Sequence, residues 1–187
     1  MMKIGLYPGS FNPMHIGHLA LANWIVEFTE IDEVWFLVTP QNPLKDEADL
    51  LDNDFRLRMA RVAVDNYPRF KVSDFEFGLP RPSYTLYTLD KIQEAYPDHV
   101  FHLIIGADNW QSFDRWKDPA LLLERYSVMI YPRLGYPIEI GSDRPNVKVV
   151  DAPIFDISST FIRQSLAAGK DVRFFLPEKV WHLIKES

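Results

Sequence analysis

The sequence contains no cysteine. That absence excludes disulfide scaffolds, thiolate nucleophiles and cysteine-ligated zinc or iron–sulfur sites. Positive charge is also short: 20 Lys and Arg stand against 26 Asp and Glu, a net charge of −6. A general polyanion binder would carry a basic face, so nucleic acid is disfavoured as a partner; a local basic pocket for one small phosphate compound remains compatible. No apolar run approaches the roughly 18 residues of a membrane span. The start, Met1-Met2-Lys3-Ile4-Gly5, is not a basic segment leading into a long apolar one, so no signal peptide is expected. These points together suggest a cytoplasmic protein with no membrane partner. There is no internal repeat and no low-complexity segment. What remains is an ordinary globular composition, 47% hydrophobic and 25% charged over 187 residues, which suits one domain spanning 1–187.

Apolar runs and helical patterns alternate along the chain. Strands are expected at 3–7, closed by Pro8-Gly9, and at 33–39, 70–75, 99–105 and 126–131, with a sixth at 147–150. Helices are expected at 17–30 (Leu21, Ile25 and Phe28 on one face) and at 54–66 (Phe55, Met59 and Val62, capped by Asp52 or Asn53). Others follow at 84–96, 119–125, 158–168 and 177–186. Residues 40–53 and 132–146 read as mobile loops rich in Pro, Gly, Asn and Asp. Apolar strands that do not alternate with polar residues indicate a parallel sheet covered on both faces. The fold class is therefore α/β, a doubly wound parallel sheet with C-terminal helices. Such sheets bind ligands at the carboxyl ends of their strands, near the switch point.

Two segments carry phosphate chemistry. Gly9-Ser10-Phe11-Asn12-Pro13-Met14-His15-Ile16-Gly17-His18 joins the first strand to the first helix. Backbone N–H groups and a helix N-terminus meet there and can hold phosphate. Gly9 lets backbone approach a ligand, and Gly17 keeps a Cβ away from the helix start. His15 and His18 share a helix face and can donate hydrogen bonds to charge that grows on a phosphate during displacement. Asp156-Ile157-Ser158-Ser159-Thr160-Phe161-Ile162-Arg163 is an N-cap pattern at a positive helix end, with Arg163 reaching the same face as Ser159 and Thr160. No spacing suggests a protein cage for a metal.

His15-Ile16-Gly17-His18 resembles the signature of the H/T-x-G-H nucleotidyltransferases, which class I aminoacyl-tRNA synthetases share. Ser158 to Arg163 resembles the I-S-S-T-x-[IV]-R motif of the former, and nothing here resembles the lysine-rich loop of the latter. Two further segments narrow the family: Ser83-Tyr84-Thr85-Leu86-Tyr87-Thr88-Leu89 and Gly106 to Lys117, containing Asp108, Phe113 and Trp116. They are similar to the S-Y-T-x-x-T-L and G-x-D-x-x-x-x-F-x-x-W motifs of bacterial nicotinate-nucleotide adenylyltransferases. The chain departs from that pattern at Leu44, where Pro-His-Lys is usual, and at Pro8, where Gly is common.

The resemblance implies a Rossmann-like nucleotidyltransferase fold. It implies adenylyl transfer from ATP to nicotinate mononucleotide by direct in-line displacement, giving deamido-NAD and pyrophosphate, with Mg²⁺ accompanying ATP. It places Gly9, Ser10, Phe11, His15, His18, Gly106, Asp108, Ser158, Ser159, Thr160 and Arg163 at ATP. It places Lys45, Tyr84, Thr85, Asp108 and Trp116 at the second nucleotide, with His15, His18 and Arg163 as the catalytic groups. The alternatives are a phosphopantetheine adenylyltransferase, which shares the first and last motifs, and a non-catalytic nucleotide sensor. Acid-versus-amide preference and homo-oligomer formation stay open.

Overall fold

The computed structural model describes residues 1–40, 50–141 and 144–187. Its elements are β1 (Met2–Gly9), α1 (Ile16–Phe28), β2 (Glu33–Val38), α2 (Asn53–Val64), β3 (Phe70–Ser73), α3 (Thr85–Ala95) and β4 (His99–Gly106). There follow α4 (Ala107–Gln111), α5 (Pro119–Arg125), β5 (Ser127–Tyr131), β6 (Val147–Val149), α6 (Ser159–Ala167) and α7 (Glu178–Glu186). The strands form one parallel sheet in the order β3-β2-β1-β4-β5-β6. This is the doubly wound α/β arrangement expected from the sequence, and its strand order reverses between β1 and β4.

Both faces of the sheet are covered, which is why the strands read as unbroken apolar runs. Ile4, Leu6, Trp35, Leu37, Phe101, Leu103 and Ile105 pack with Leu86, Leu89 and Ile92 of α3 and Leu122 of α5. Phe36, Val38, Ile104 and Met129 point the other way, against Ile25 of α1, Met59 of α2, Ile162 of α6 and Val180 of α7.

β1 pairs with β2 as far as Gly9↔Val38 but with β4 only as far as Leu6↔Leu103. The sheet splits there, and the crevice opens at the carboxyl ends of the two strands. The strand therefore runs through Pro8 rather than stopping before it. The Gly9 carbonyl accepts from Thr39 N at 2.9 Å on the β2 side. Alternation puts the Pro8 nitrogen on the opposite side, where β4 no longer pairs, so its missing N–H costs no ladder bond.

Other expectations shift in detail. Phe28 does not join the buried face of α1: it is 70% exposed and lies beside Trp24, while Leu21, Ala22, Ile25 and Val26 are buried. Thr29 ends that helix, its hydroxyl and N–H both donating to the Ile25 carbonyl. β3 stops at Ser73 and is followed by a 3₁₀ turn at Phe75–Gly78. The short α4 went unrecognised inside the Gly106–Lys117 segment. Of the two loop stretches, residues 41–49 lie outside the described residues. In the other, Trp110 Nε1 donates to the Glu139 carbonyl at 2.9 Å, and Arg133 and Tyr136 form a bridge.

Asp52 caps α2, accepting from the N–H groups of Asp54 and Phe55. One turn in, the same helix buries a charge. Arg56 has 0% exposure. Its guanidinium donates to the carbonyls of Ser10 (2.6 Å), Thr39 (2.9 Å), Pro40 (3.0 Å) and Leu51 (3.1 Å), and to the Asn53 side chain. Burial pulls its pKa down, and Asp52 opposes that. The loops after β1 and β2 are thus tied to one planar group. Removing it strands several buried carbonyls, each worth about 1–3 kcal/mol of desolvation. Arg56→Met is expected to lower the unfolding free energy by about 3–5 kcal/mol in urea titrations. A loss below about 1 kcal/mol would mean the guanidinium is not holding these loops.

Candidate active site

A cleft of about 640 Å³ lies over the split between β1 and β4. Every described residue that the sequence singled out lines it: Gly9, Ser10, Phe11, His15, His18, Tyr84, Thr85, Gly106, Asp108, Trp116, Ser158, Ser159, Thr160 and Arg163. Lys45 lies outside the described residues.

The two imidazoles meet at the start of α1. His15 is its N-cap and His18 sits in its first turn. The rings stack at 3.7 Å between centroids, inclined by 23°. The His15 backbone N–H donates to His18 Nδ1 at 3.2 Å. That bond fixes the neutral tautomer of His18, whose proton then sits on Nε2 as a donor. His15 is 4% exposed, and its Nδ1 is buried without a hydrogen-bond partner among the described residues. Burial first, and the charge of Arg133 second, pull its pKa down to about 4. The pair therefore contains a neutral imidazole at pH 7. His15 can therefore offer a directed hydrogen bond without a positive charge.

The glycines around the pair make room for rings of the protein itself. A Cβ on Gly17 would come within 3.1 Å of His15 Nδ1 and 3.2 Å of its Cε1. Gly17 thus makes room for the His15 ring. A Cβ on Gly9 would come within 2.9 Å of the Phe11 ring. Phe11 itself takes a left-handed backbone, φ 43°, which costs a non-glycine residue roughly 1–2 kcal/mol. Its ring is 3% exposed and packs edge-on against Tyr7, Phe36 and His18, which holds that conformation in place.

α6 closes the same side of the cleft. Ser158 caps it by accepting from Phe161 N at 3.1 Å. The Ser159 hydroxyl donates to the Pro13 carbonyl at 2.9 Å, and Arg163 Nη1 donates to the Asn12 carbonyl at 2.9 Å. These two bonds join the first and last motifs across nearly the whole chain. They also commit part of each side chain to holding the loop.

The other side is built by α3, α4 and the turn after it. Tyr84 is the N-cap of α3 and Thr85 its first residue; no side chain caps this end, so its first N–H groups remain available to an anion. Trp116 is half-buried beside Phe113, 5.1 Å between ring centroids. Asp108 lies in the first turn of α4; its Oδ1 is buried without a hydrogen-bond partner among the described residues, 3.7 Å from Arg133 Nε. A Cβ on Gly106 would collide with Asp108, Arg133 and Tyr131, so this glycine permits the cluster.

Comparison with known proteins agrees with this geometry. The cytidylyltransferase-like family model matches residues 6–165. A protein of Bacteroides thetaiotaomicron named "probable nicotinate-nucleotide adenylyltransferase" is 54% identical over 185 residues, covering 99% of this chain and 92% of that one. A protein of the same name from Flavobacterium johnsoniae is 47% identical, covering 98% of this chain and 96% of its own. The chain belongs to the nicotinate-nucleotide adenylyltransferases.

The fold is shared more widely. A solved structure of Plasmodium falciparum nicotinic acid mononucleotide adenylyltransferase complexed with NaAD superposes with TM-score 0.83 at 19% identity, covering 100% of this chain and 96% of that chain. A second, complexed with APC, gives 0.82 at 19% identity, with the same coverage of both chains.

Within this adenylyltransferase, sequence reasoning missed Arg133, Tyr7 and Tyr131. The two tyrosine hydroxyls lie 3.3 Å apart on the cleft floor, and burial holds both protonated. Burial opposes the charge of Arg133, yet its pKa is raised overall, and the carboxylate beside it is Asp108, 3.7 Å away. Pairing across strands creates this group: β5 lies beside β4 with Gly106↔Tyr131 in register. No local spacing signals it.

Two outcomes follow from the imidazole geometry. Ala is favoured over Gly inside a helix by about 0.5–1 kcal/mol. Gly17→Ala should therefore keep most of the stability while displacing His15 and lowering kcat roughly tenfold or more. An unchanged kcat would show that the ring position does not matter. His15 takes a proton near pH 6.5 in the unfolded chain but only at about 4 in the fold. Between those values the unfolded state binds more protons, so stability is fully present above pH 6.5 and falls toward pH 4. Urea unfolding should show the wild type losing stability relative to His15→Gln over that window; a constant difference would contradict the shift.

Proposed function

We propose that the protein transfers the adenylyl group of ATP to nicotinate mononucleotide, giving deamido-NAD and pyrophosphate. The phosphate of the mononucleotide is already ionised, so no base is needed to make the nucleophile. Its oxygen attacks the α-phosphorus of ATP, and the bond to the β-phosphate oxygen breaks as pyrophosphate departs with the electron pair. Catalysis of such a step rests on position and on stabilising charge at the phosphate oxygens.

The observation that carries this reading is the stacked His15–His18 pair, with its neutral His15 and the His18 proton directed to Nε2. Imidazoles that donate hydrogen bonds suit growing negative charge on the triphosphate. Arg163, together with the Ser158 and Thr160 end of α6, supplies the phosphate clamp beside them. Lys45 belongs to the proposal as a further cation. Gly9, Ser10, Phe11 and Gly106 shape the ATP side with backbone, and Asp108 accepts from a ribose hydroxyl. Tyr84, Thr85 and Trp116 take the second nucleotide, Trp116 offering a flat face to its pyridine ring.

Adenylyltransferases of this family use a divalent metal with ATP. No cluster of three acidic or histidine side chains able to hold a metal ion occurs among the described residues. Mg²⁺ would then enter on the triphosphate as part of the substrate. One sheet supplies both halves of the cleft, which supports a single domain. The use of ATP and the cysteine-free sequence support a cytoplasmic location. No helix among the described residues is long and apolar enough to cross a membrane.

The test is pyrophosphate release from ATP with nicotinate mononucleotide, nicotinamide mononucleotide or phosphopantetheine. Release should be fastest with nicotinate mononucleotide; none with either mononucleotide would overturn the reading. His18→Ala should lower kcat by roughly 10²–10³-fold while the mononucleotide KM changes little. Equal activity in variant and wild type would remove His18 from the mechanism.

A further inference from the structure

Glu76 has no part in the chemistry above, yet it is the most buried carboxylate described, at 4% exposure, and it lines the cleft. It sits in the 3₁₀ turn Phe75–Gly78. The Thr88 hydroxyl donates to Oε1 at 2.8 Å, and the Thr39 side chain is a second donor to the carboxyl. Its Oε2 has no hydrogen-bond partner among the described residues. Burying a carboxyl is costly unless it holds something in return.

What it holds can be traced in both directions. Thr88 is 1% exposed and lies one turn into α3, the helix whose start carries Tyr84 and Thr85. Thr39 follows β2; its N–H donates to the Gly9 carbonyl, and its own carbonyl accepts from Arg56, both at 2.9 Å. Arg56 also holds the Ser10 carbonyl. A polar chain therefore runs from Ser10 through Arg56, Thr39 and Glu76 to Thr88. One end is the loop of the first motif, and the other is the start of α3.

We propose that Glu76 is a positioning residue for the second substrate: by receiving Thr39 and Thr88 it sets the N-terminus of α3 against the end of β2. This rests on the substrates proposed above. Apolar packing of Leu86, Leu89 and Ile92 buries one side of α3, and its later turns are tied by Asp90, which accepts from Arg125 and Tyr126, and by Gln93, which donates to the His99 carbonyl. The Glu76–Thr88 bond holds the other end, the one that meets the ligand.

Kinetics and substrate-free amide exchange test the proposal on Glu76→Ala, Glu76→Gln, Thr88→Val and the double variant Glu76→Ala/Thr88→Val. Glu76→Ala and Thr88→Val should each raise the mononucleotide KM about tenfold and leave the ATP KM within about twofold, with the double variant no worse than Glu76→Ala. Glu76→Gln keeps an acceptor for Thr88 and should recover most of the loss. Equal rises in both KM values, or none, overturn the proposal. Without substrate, exchange across Thr88–Ile92 should quicken in Glu76→Ala and Thr88→Val relative to β4; unchanged exchange overturns it as well. Quickened exchange in a protein that does not use the mononucleotide would count against the proposed substrates and leave the positioning role standing. Should Glu76→Ala fail to fold, Thr88→Val and Glu76→Gln carry both readouts.

Discussion

The site depends on one buried guanidinium. Arg56 carries its charge into the interior with 0% exposure and meets carbonyl oxygens there rather than a carboxylate. Five donors in a rigid plane suit that task, and an ammonium on a flexible stem does not. Its partners are the backbone just past β1 and just past β2. These loops leave the sheet beside its split, so the guanidinium fixes the direction in which the first motif departs. Phe11 can then hold a left-handed backbone, His15 can lie under Gly17, and Arg163 can reach back to Asn12. The Phe11 backbone is strained and the His15 ring is desolvated, and each is supported by its neighbours.

The electrostatic character of the cleft follows from the same packing. A protein of net charge −6 gathers the cations Arg115, Lys117, Arg133 and Arg163 and the N-termini of α1, α3, α4 and α6 at one sheet edge. His15 adds no charge, because burial keeps it neutral. This suits a reaction in which the nucleophile needs no deprotonation and no covalent intermediate on the protein forms. The absence of cysteine is consistent with that chemistry.

The parts of the architecture that were readable from sequence are those encoded locally. Apolar runs gave the strands, and helical spacing gave α1, α2, α3, α6 and α7. The Ser158 cap and the His15/His18 pair lie within single turns. Charges satisfied at a distance were not readable. Arg56 reaches Ser10, 46 residues away, and Glu76 reaches Thr88 across a turn and a loop. In the sequence both are ordinary charged residues between apolar neighbours. Arg133 joins the site only because β5 pairs with β4. Phe28 fitted the helical period of α1 but is its last residue and stands exposed beside Trp24. At Gly9 and Gly17 a Cβ would meet an aromatic or imidazole ring of the protein itself, and spacing alone does not show that.

The proposed reaction is one direct displacement at the α-phosphorus of ATP, with no group on the protein taking the adenylyl unit. An ATP analogue made chiral at that phosphorus by sulfur substitution tests it most directly, with the configuration of the dinucleotide product read by phosphorus NMR. A single in-line step inverts the centre, and inversion is the result expected here. Retention would require two displacements and an adenylylated intermediate, and would contradict the account.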